Sequence, residues 1–269
     1  MEGMLTILTA YLTEYLTLFN VMGVVTGALI GGMINLTGVG GGVLVIPVLA
    51  VGFALPPVVA VGTASLYATL TKLLSSWYHV RSGLIDWRVV GAFLVGAIPI
   101  TLGVSGGVVY ALQAYPEYQA QIQEWIKYVI IVVMMAAVAG MVYQTKRTSN
   151  RPMNRAYLVM GGMLTGVIMG LTGIGGGVLI IPLLVWLTQA SIKRIISCSI
   201  VIAVIISALS GLVYSQGGQY HLTLLIGLLL GSSIGIKISD GLRHRLSETQ
   251  LTRIVIGLIV LSAFVMLFR

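Results

Sequence analysis

The sequence predicts an all-α, polytopic membrane protein built from two repeats of opposite orientation. Three observations lead there: an apolar composition, a duplicated glycine motif, and a one-sided placement of basic residues. Of 269 residues 58% are hydrophobic and 8% charged, with a mean hydropathy of +1.03. Soluble domains carry about 25% charged residues, so the solvent to reason with is the lipid bilayer. The 34 glycines have no period of three, which excludes collagen, and suit close-packed or broken membrane helices. A net charge of +8 does not point to nucleic acid, because the basic residues lie in short loops between apolar segments. Cys198, the single cysteine, can form no internal disulfide and fits no zinc or haem spacing. No basic region or small-residue cleavage site precedes the first apolar stretch, so the first helix is expected to be retained.

The duplication is read from LTGVGGGVLVIPVL at 36–49 and LTGIGGGVLIIPLL at 171–184, identical at eleven of fourteen positions. The offset of 135 continues without a gap, pairing Ser75 with Ser210, Gly83 with Gly218 and Gly96 with Gly231. Each half then gives five apolar segments in order. In the first half these are 15–35, 43–53, 59–78, 89–110 and 125–143; in the second, 156–170, 178–187, 195–214, 222–238 and 254–268. The second segment of each set is shorter than the roughly 20 residues a full crossing needs. It follows the glycine cluster directly. Each half is therefore predicted as a glycine-broken helix pair followed by three membrane-spanning helices. The domain division is 1–145 for the first repeat, 146–155 for a basic cytoplasmic linker and 156–269 for the second repeat.

Orientation comes from the loop charges. With the 144–155 loop cytoplasmic, 12 of the 15 Lys and Arg fall inside, while Lys127, Arg269 and the acidic Glu2, Glu14, Glu117 and Glu124 fall outside. Both chain termini are then predicted outside an inner (plasma) membrane. The first broken pair starts and ends outside and the second inside, so the repeats are inverted, an arrangement that lets secondary transporters expose one midplane site to either side.

The candidate site follows from the chemistry of the breaks. A helix restarting after Gly38–Gly42 or Gly173–Gly177 presents unpaired N–H groups worth about half a positive charge. The glycines Gly38, Gly40, Gly41, Gly42, Gly173, Gly175, Gly176 and Gly177 permit close approach of an anion to the backbone. Thr37 and Thr172 add hydroxyls. The competing reading is that the glycines only let helices touch. No GK[ST] follows either cluster, which argues against a nucleotide loop. Thr63, Ser65, Ser197, Cys198 and Ser199 stand near the start of the third segment in each half, either as donors to a substrate or bonded to their own preceding turn. Cys198 has no His or acid within a helical turn, which argues against a nucleophile. Lys72 lies inside a segment and is read either as snorkelling or as a pore contact. His79 stands at the inner mouth. No carboxylate falls in the centre of a segment, and His79, His221 and His244 are all near membrane edges. An intramembrane enzyme is disfavoured on that account. No metal or cofactor is expected.

The two GxGGG motifs with their following prolines, at Gly38, Gly40–Gly42 and Pro47 and at Gly173, Gly175–Gly177 and Pro182, together with VGT at 61–63, resemble the sulfite exporter TauE/SafE family. The resemblance covers nearly the whole chain. It implies export of sulfite or an organosulfonate, or alternatively import of a sulfur oxyanion or thiosulfate-like compound on the same scaffold. In the second half SCS at 197–199 departs from the GTS-like family pattern, which puts substrate contact there in doubt.

Overall fold

A computed structural model describes residues 20–34, 41–81, 83–142, 154–174, 177–242 and 248–268. The all-α expectation holds, for among the described residues there is no strand. The helices are α1 (Asn20–Ile34), α2 (Gly41–Pro47), α3 (Pro57–Arg81), α4 (Trp87–Ala114), α5 (Gln119–Val142), α6 (Arg155–Thr172), α7 (Gly177–Leu187), α8 (Ile192–Gln216), α9 (Leu222–Leu242) and α10 (Glu248–Phe268). Among the described residues five helices, α4, α5, α6, α8 and α9, are long and apolar enough to cross a membrane. The basic linker at 146–155 lies outside the described residues except for its last two positions.

Most helices outrun their apolar segments. At 28 residues α4 is about 42 Å long, well beyond a hydrocarbon core of about 30 Å. Hydropathy stops where polar side chains begin, whereas the backbone stays helical into the headgroup zone. Helix α4 starts on a firm signal: the Asp86 carboxylate accepts hydrogen bonds from Arg88 N–H at 3.0 Å and Val89 N–H at 3.4 Å. Gly83 and Gly218, at φ of +68° and +70°, close the turns after α3 and α8. In the first half Pro47 ends α2 and a π-helical turn, Val48–Gly52, follows it. That is the expected response to a residue with no N–H to give the ladder.

Helix packing uses the small residues, and it repeats with the sequence. A β-carbon on Gly162 of α6 would meet the Phe93 carbonyl of α4; at the positions offset by 135, one on Gly27 of α1 would meet the Leu228 carbonyl of α9. Likewise Gly96 abuts the Val159 carbonyl, and Gly231 the Val24 carbonyl. The contacts are reciprocal, each half lending its first helix to the fourth of the other. Both pairs run parallel. Lipid tails are as apolar as the side chains, so close backbone approach and dispersion hold such pairs together. Helices α3 and α8, equivalent under the same offset and each 25 residues long, run antiparallel at the centre, with Gly62 against Tyr214 and Gly211 against Leu66.

The short helices are buried deeply. Val45 and Leu49 after the first break, and Ile180 and Leu184 after the second, are fully buried at equivalent positions, each in its own apolar cluster. The faces of Val95, Leu102, Val132, Leu230, Leu261 and Phe264 are exposed, as a bilayer-facing surface requires.

Candidate functional site

The described glycine break lies between α6 and α7. Thr172 closes α6, its hydroxyl donating to Ile168 O at 2.6 Å and accepting from Ile174 N–H at 3.2 Å. Gly173 caps the helix in the left-handed region at φ +60°, its N–H donating to Met169 O at 2.9 Å. Glycine is required here twice over. The conformation disfavours a side chain, and a β-carbon would stand 2.7 Å from Ser65 Oγ and 3.0 Å from Val61 O. Two residues of the break, Gly175 and Gly176, lie outside the described residues, and Gly177 opens α7.

Three helices converge on this break. Helix α3 brings Val61 and Ser65; α8 brings Tyr214, whose hydroxyl donates to Gly170 O at 2.6 Å and so ties α8 to the end of α6. Ser65 is the ninth residue of α3, about 6 Å along the axis from the helix midpoint. The break therefore sits slightly to one side of the centre of the bundle. In the first half Thr37, Gly38 and Gly40 lie outside the described residues, Gly41 opens α2 and Gly42 is buried behind it.

The hydroxyls named from the sequence do not form one group. Thr63 donates to Val59 O at 2.8 Å and accepts from His221 N–H at 2.9 Å. At the equivalent position Cys198 Sγ accepts from Asp86 N–H at 3.3 Å. Each thus holds the start of a helix: Asp86 caps α4, and His221 Nδ1 accepts from Leu224 N–H at 3.3 Å near the start of α9. Ser197 and Ser199 donate to the carbonyls of Lys193 and Ile196 in their own helix. Cys198 is 16 residues from Tyr214, or about 24 Å along α8, so the 197–199 cluster stands at the far end of the bundle from Gly173. Ser65 alone of these five reaches the described break. Lys72 is half-buried on α3, and the His79 side chain lies outside the described residues.

Two features were not legible beforehand. A cavity of about 390 Å³ opens at the α3–α4 turn, lined by Asp86, Trp87, Arg88 and, from the other half, Arg194. Ser207 and Ser210 are buried on α8, on the helix face that continues through Gly211 and Tyr214, and those two residues meet α3. The repeat offset offered a hint for the two serines, since Ser207 falls on Lys72 and Ser210 on Ser75. Among the described residues no group of three or more His, Cys, Asp or Glu could hold a metal ion.

Residues 22–266 match the family model described as sulfite exporter TauE/SafE. Similar curated proteins include Probable membrane transporter protein YjnA of Bacillus subtilis, 30% identical over 240 residues that cover 87% of this chain and 94% of the relative. Probable membrane transporter proteins of Methanocaldococcus jannaschii and Xylella fastidiosa are 25% and 26% identical, over 87% of this chain and 92% and 89% of theirs. No solved structure matches the chain. A duplicated glycine motif, long apolar helices and a match over nearly the full length agree: the chain belongs to the sulfite exporter TauE/SafE family and is a multi-pass membrane transporter.

Proposed function

We propose that the protein exports a small anion, sulfite or an organosulfonate, by alternating access at its two glycine breaks. The observation that carries this reading is the break at Gly173, where backbone and hydroxyl groups of three helices meet and every charged side chain on those helices is basic. The charged residues of α3, α6 and α8 are Lys72, Arg81, Arg155, Lys193 and Arg194, and α7 has none. Lys72, seven residues from Ser65 or about 10 Å along α3, is the nearest of these to the break, and the others stand more than about 20 Å away at helix ends; with no acid on the four helices, the site favours an oxyanion over a cation. The family description supports a sulfur oxyanion in particular.

An inverted repeat in an inner membrane, with both termini outside, is part of the same proposal. Equivalent helices that pack antiparallel, as α3 and α8 do, support a two-fold axis perpendicular to them and hence in the membrane plane. Such symmetry would bring the two breaks to either side of the midplane to form one site, which rocking one repeat against the other exposes to each face in turn. Cysteine labelling at Ser149 and Gln119 in a Cys198→Ser background tests the orientation. Modification of Ser149→Cys from outside intact cells, with Gln119→Cys protected, contradicts it.

Efflux is driven, in this reading, by the inside-negative potential, worth about 2.3 kcal/mol per charge per 100 mV. No Asp or Glu on α3, α6, α7 or α8 offers a proton relay. Proteoliposomes loaded with methanesulfonate are expected to release it under a potassium-clamped potential at equal pH, and far less under a pH step at zero potential. Flux that follows the pH step and ignores the potential refutes electrogenic export; uphill inward flux supports the import alternative.

A further inference from the structure

Three buried serines remain unexplained by helix ends or packing. Ser65 on α3 and Ser207 and Ser210 on α8 are 0%, 1% and 1% exposed, and their hydroxyls have no hydrogen-bond partner among the described residues. A hydroxyl in an apolar helix ordinarily donates to a carbonyl one turn back, as Thr63, Thr69, Thr165 and Thr172 do. Buried polar atoms that decline this bond are rare and call for a reason. Three on one seam call for a common one.

Their placement supplies it. Ser207 and Ser210 are three apart on α8, on the face that continues through Gly211 and Tyr214, and those two residues meet α3 at Leu66 and Gly62. Ser65 adjoins Leu66, and its Oγ stands 2.7 Å from where a β-carbon of Gly173 would be, so it is aimed into the break. Tyr214 belongs to the same wall, but its hydroxyl is already engaged with Gly170 O. The seam of α3 and α8 thus lays uncommitted hydroxyls beside the second glycine break, with Lys72 about 10 Å further along α3.

We propose that Ser65, Ser207 and Ser210 form a hydroxyl subsite for the transported oxyanion at the second break, each donating to one of its oxygens. The assignment rests on the reading of the chain as an anion transporter and gives that reading a residue set. It also makes the halves unequal. Under the offset of 135 Ser207 falls on Lys72 and Ser65 on Ile200, so the corresponding place in the first half carries an ammonium group where the second carries a neutral donor.

The test labels Ser207→Cys and Ser210→Cys, in a Cys198→Ser background in bilayers, with reagent supplied to both sides. The anionic 2-sulfonatoethyl methanethiosulfonate and its cationic trimethylammonium analogue are compared, each rate taken relative to that at an exposed Gln216→Cys. The anionic reagent is expected to react preferentially, and millimolar methanesulfonate to slow it several-fold. Ser105→Cys, which replaces a buried serine bonded within its own helix, is expected to resist both reagents. Thiols at 207 and 210 that resist both, or that prefer the cation, overturn the subsite.

A second measurement uses Ser207→Ala/Ser210→Ala. Its KM for methanesulfonate efflux is expected to rise about tenfold with no fall in unfolding temperature, because no internal hydrogen bond is lost; an unchanged KM overturns the proposal. Failure of the two ideas is distinguishable. Wild-type flux with inert thiols sinks only the subsite, whereas protected, anion-selective thiols without wild-type flux uphold the subsite and sink export.

Discussion

Replacing Gly173 by alanine separates backbone strain from crowding, because the fold contains a matched control. Gly173 and Gly218 share the left-handed conformation, at φ +60° and +70°. A β-carbon on Gly218 would meet nothing within 4 Å, whereas one on Gly173 would meet Ser65 Oγ at 2.7 Å and Val61 O at 3.0 Å. The conformation alone disfavours an L-residue by about 1–2 kcal/mol. Crowding adds about 1–3 kcal/mol, since the Val61 carbonyl is part of the α3 ladder and cannot rotate away. Gly218→Ala is thus expected to destabilise by about 1–2 kcal/mol and Gly173→Ala by about 2–5 kcal/mol. Thermal unfolding in detergent, followed by tryptophan fluorescence, should rank wild type above Gly218→Ala and Gly218→Ala above Gly173→Ala. Efflux by Gly173→Ala, assayed where it remains folded, should fall sharply while Gly218→Ala retains it. Adding Ser65→Ala to Gly173→Ala removes the closer obstacle and should recover part of the lost stability, a coupling a double-mutant cycle reads directly. Equal destabilisation by the two glycine variants, together with normal efflux by Gly173→Ala, would refute the argument that the close approach of α3 to the break matters.

Two more substitutions test the packing. Gly231→Ala drives a β-carbon into the Val24 carbonyl and should destabilise by about 1–3 kcal/mol, while Gly106→Ala, with nothing within 4 Å, should be neutral or slightly stabilising in the same unfolding assay. Tyr214→Phe removes the bond to Gly170 O and leaves a buried carbonyl with one partner fewer; a loss of about 1–2 kcal/mol is expected, and no change would mean that the link between α8 and α6 is not stabilising.

The all-α class, the order of the segments and the duplication were legible in the chain itself. Bilayer solvation acts on each segment separately, and a repeat is a property of order along the chain, so hydropathy and self-similarity suffice. Helix ends were less legible where polar residues continue a helix past its apolar stretch, as at Arg81 and Gln216. Of the candidate site, the sequence named the Gly173 break and Ser65, which the fold brings together. It also grouped Thr63, Cys198, Ser197 and Ser199 with them, although Thr63 and Cys198 anchor the starts of helices from the other half and the two serines bond their own turn. Ser207 went unnoticed in an apolar run, and Ser210 was noted only as the repeat partner of Ser75. The difference between these groups lies in which helix stands opposite. A serine's neighbours along its own helix are set by sequence spacing, but whether its hydroxyl meets a backbone N–H, a carbonyl or an open seam depends on a helix more than a hundred residues away. Only the antiparallel crossing of α3 and α8 beside the end of α6 settles that choice.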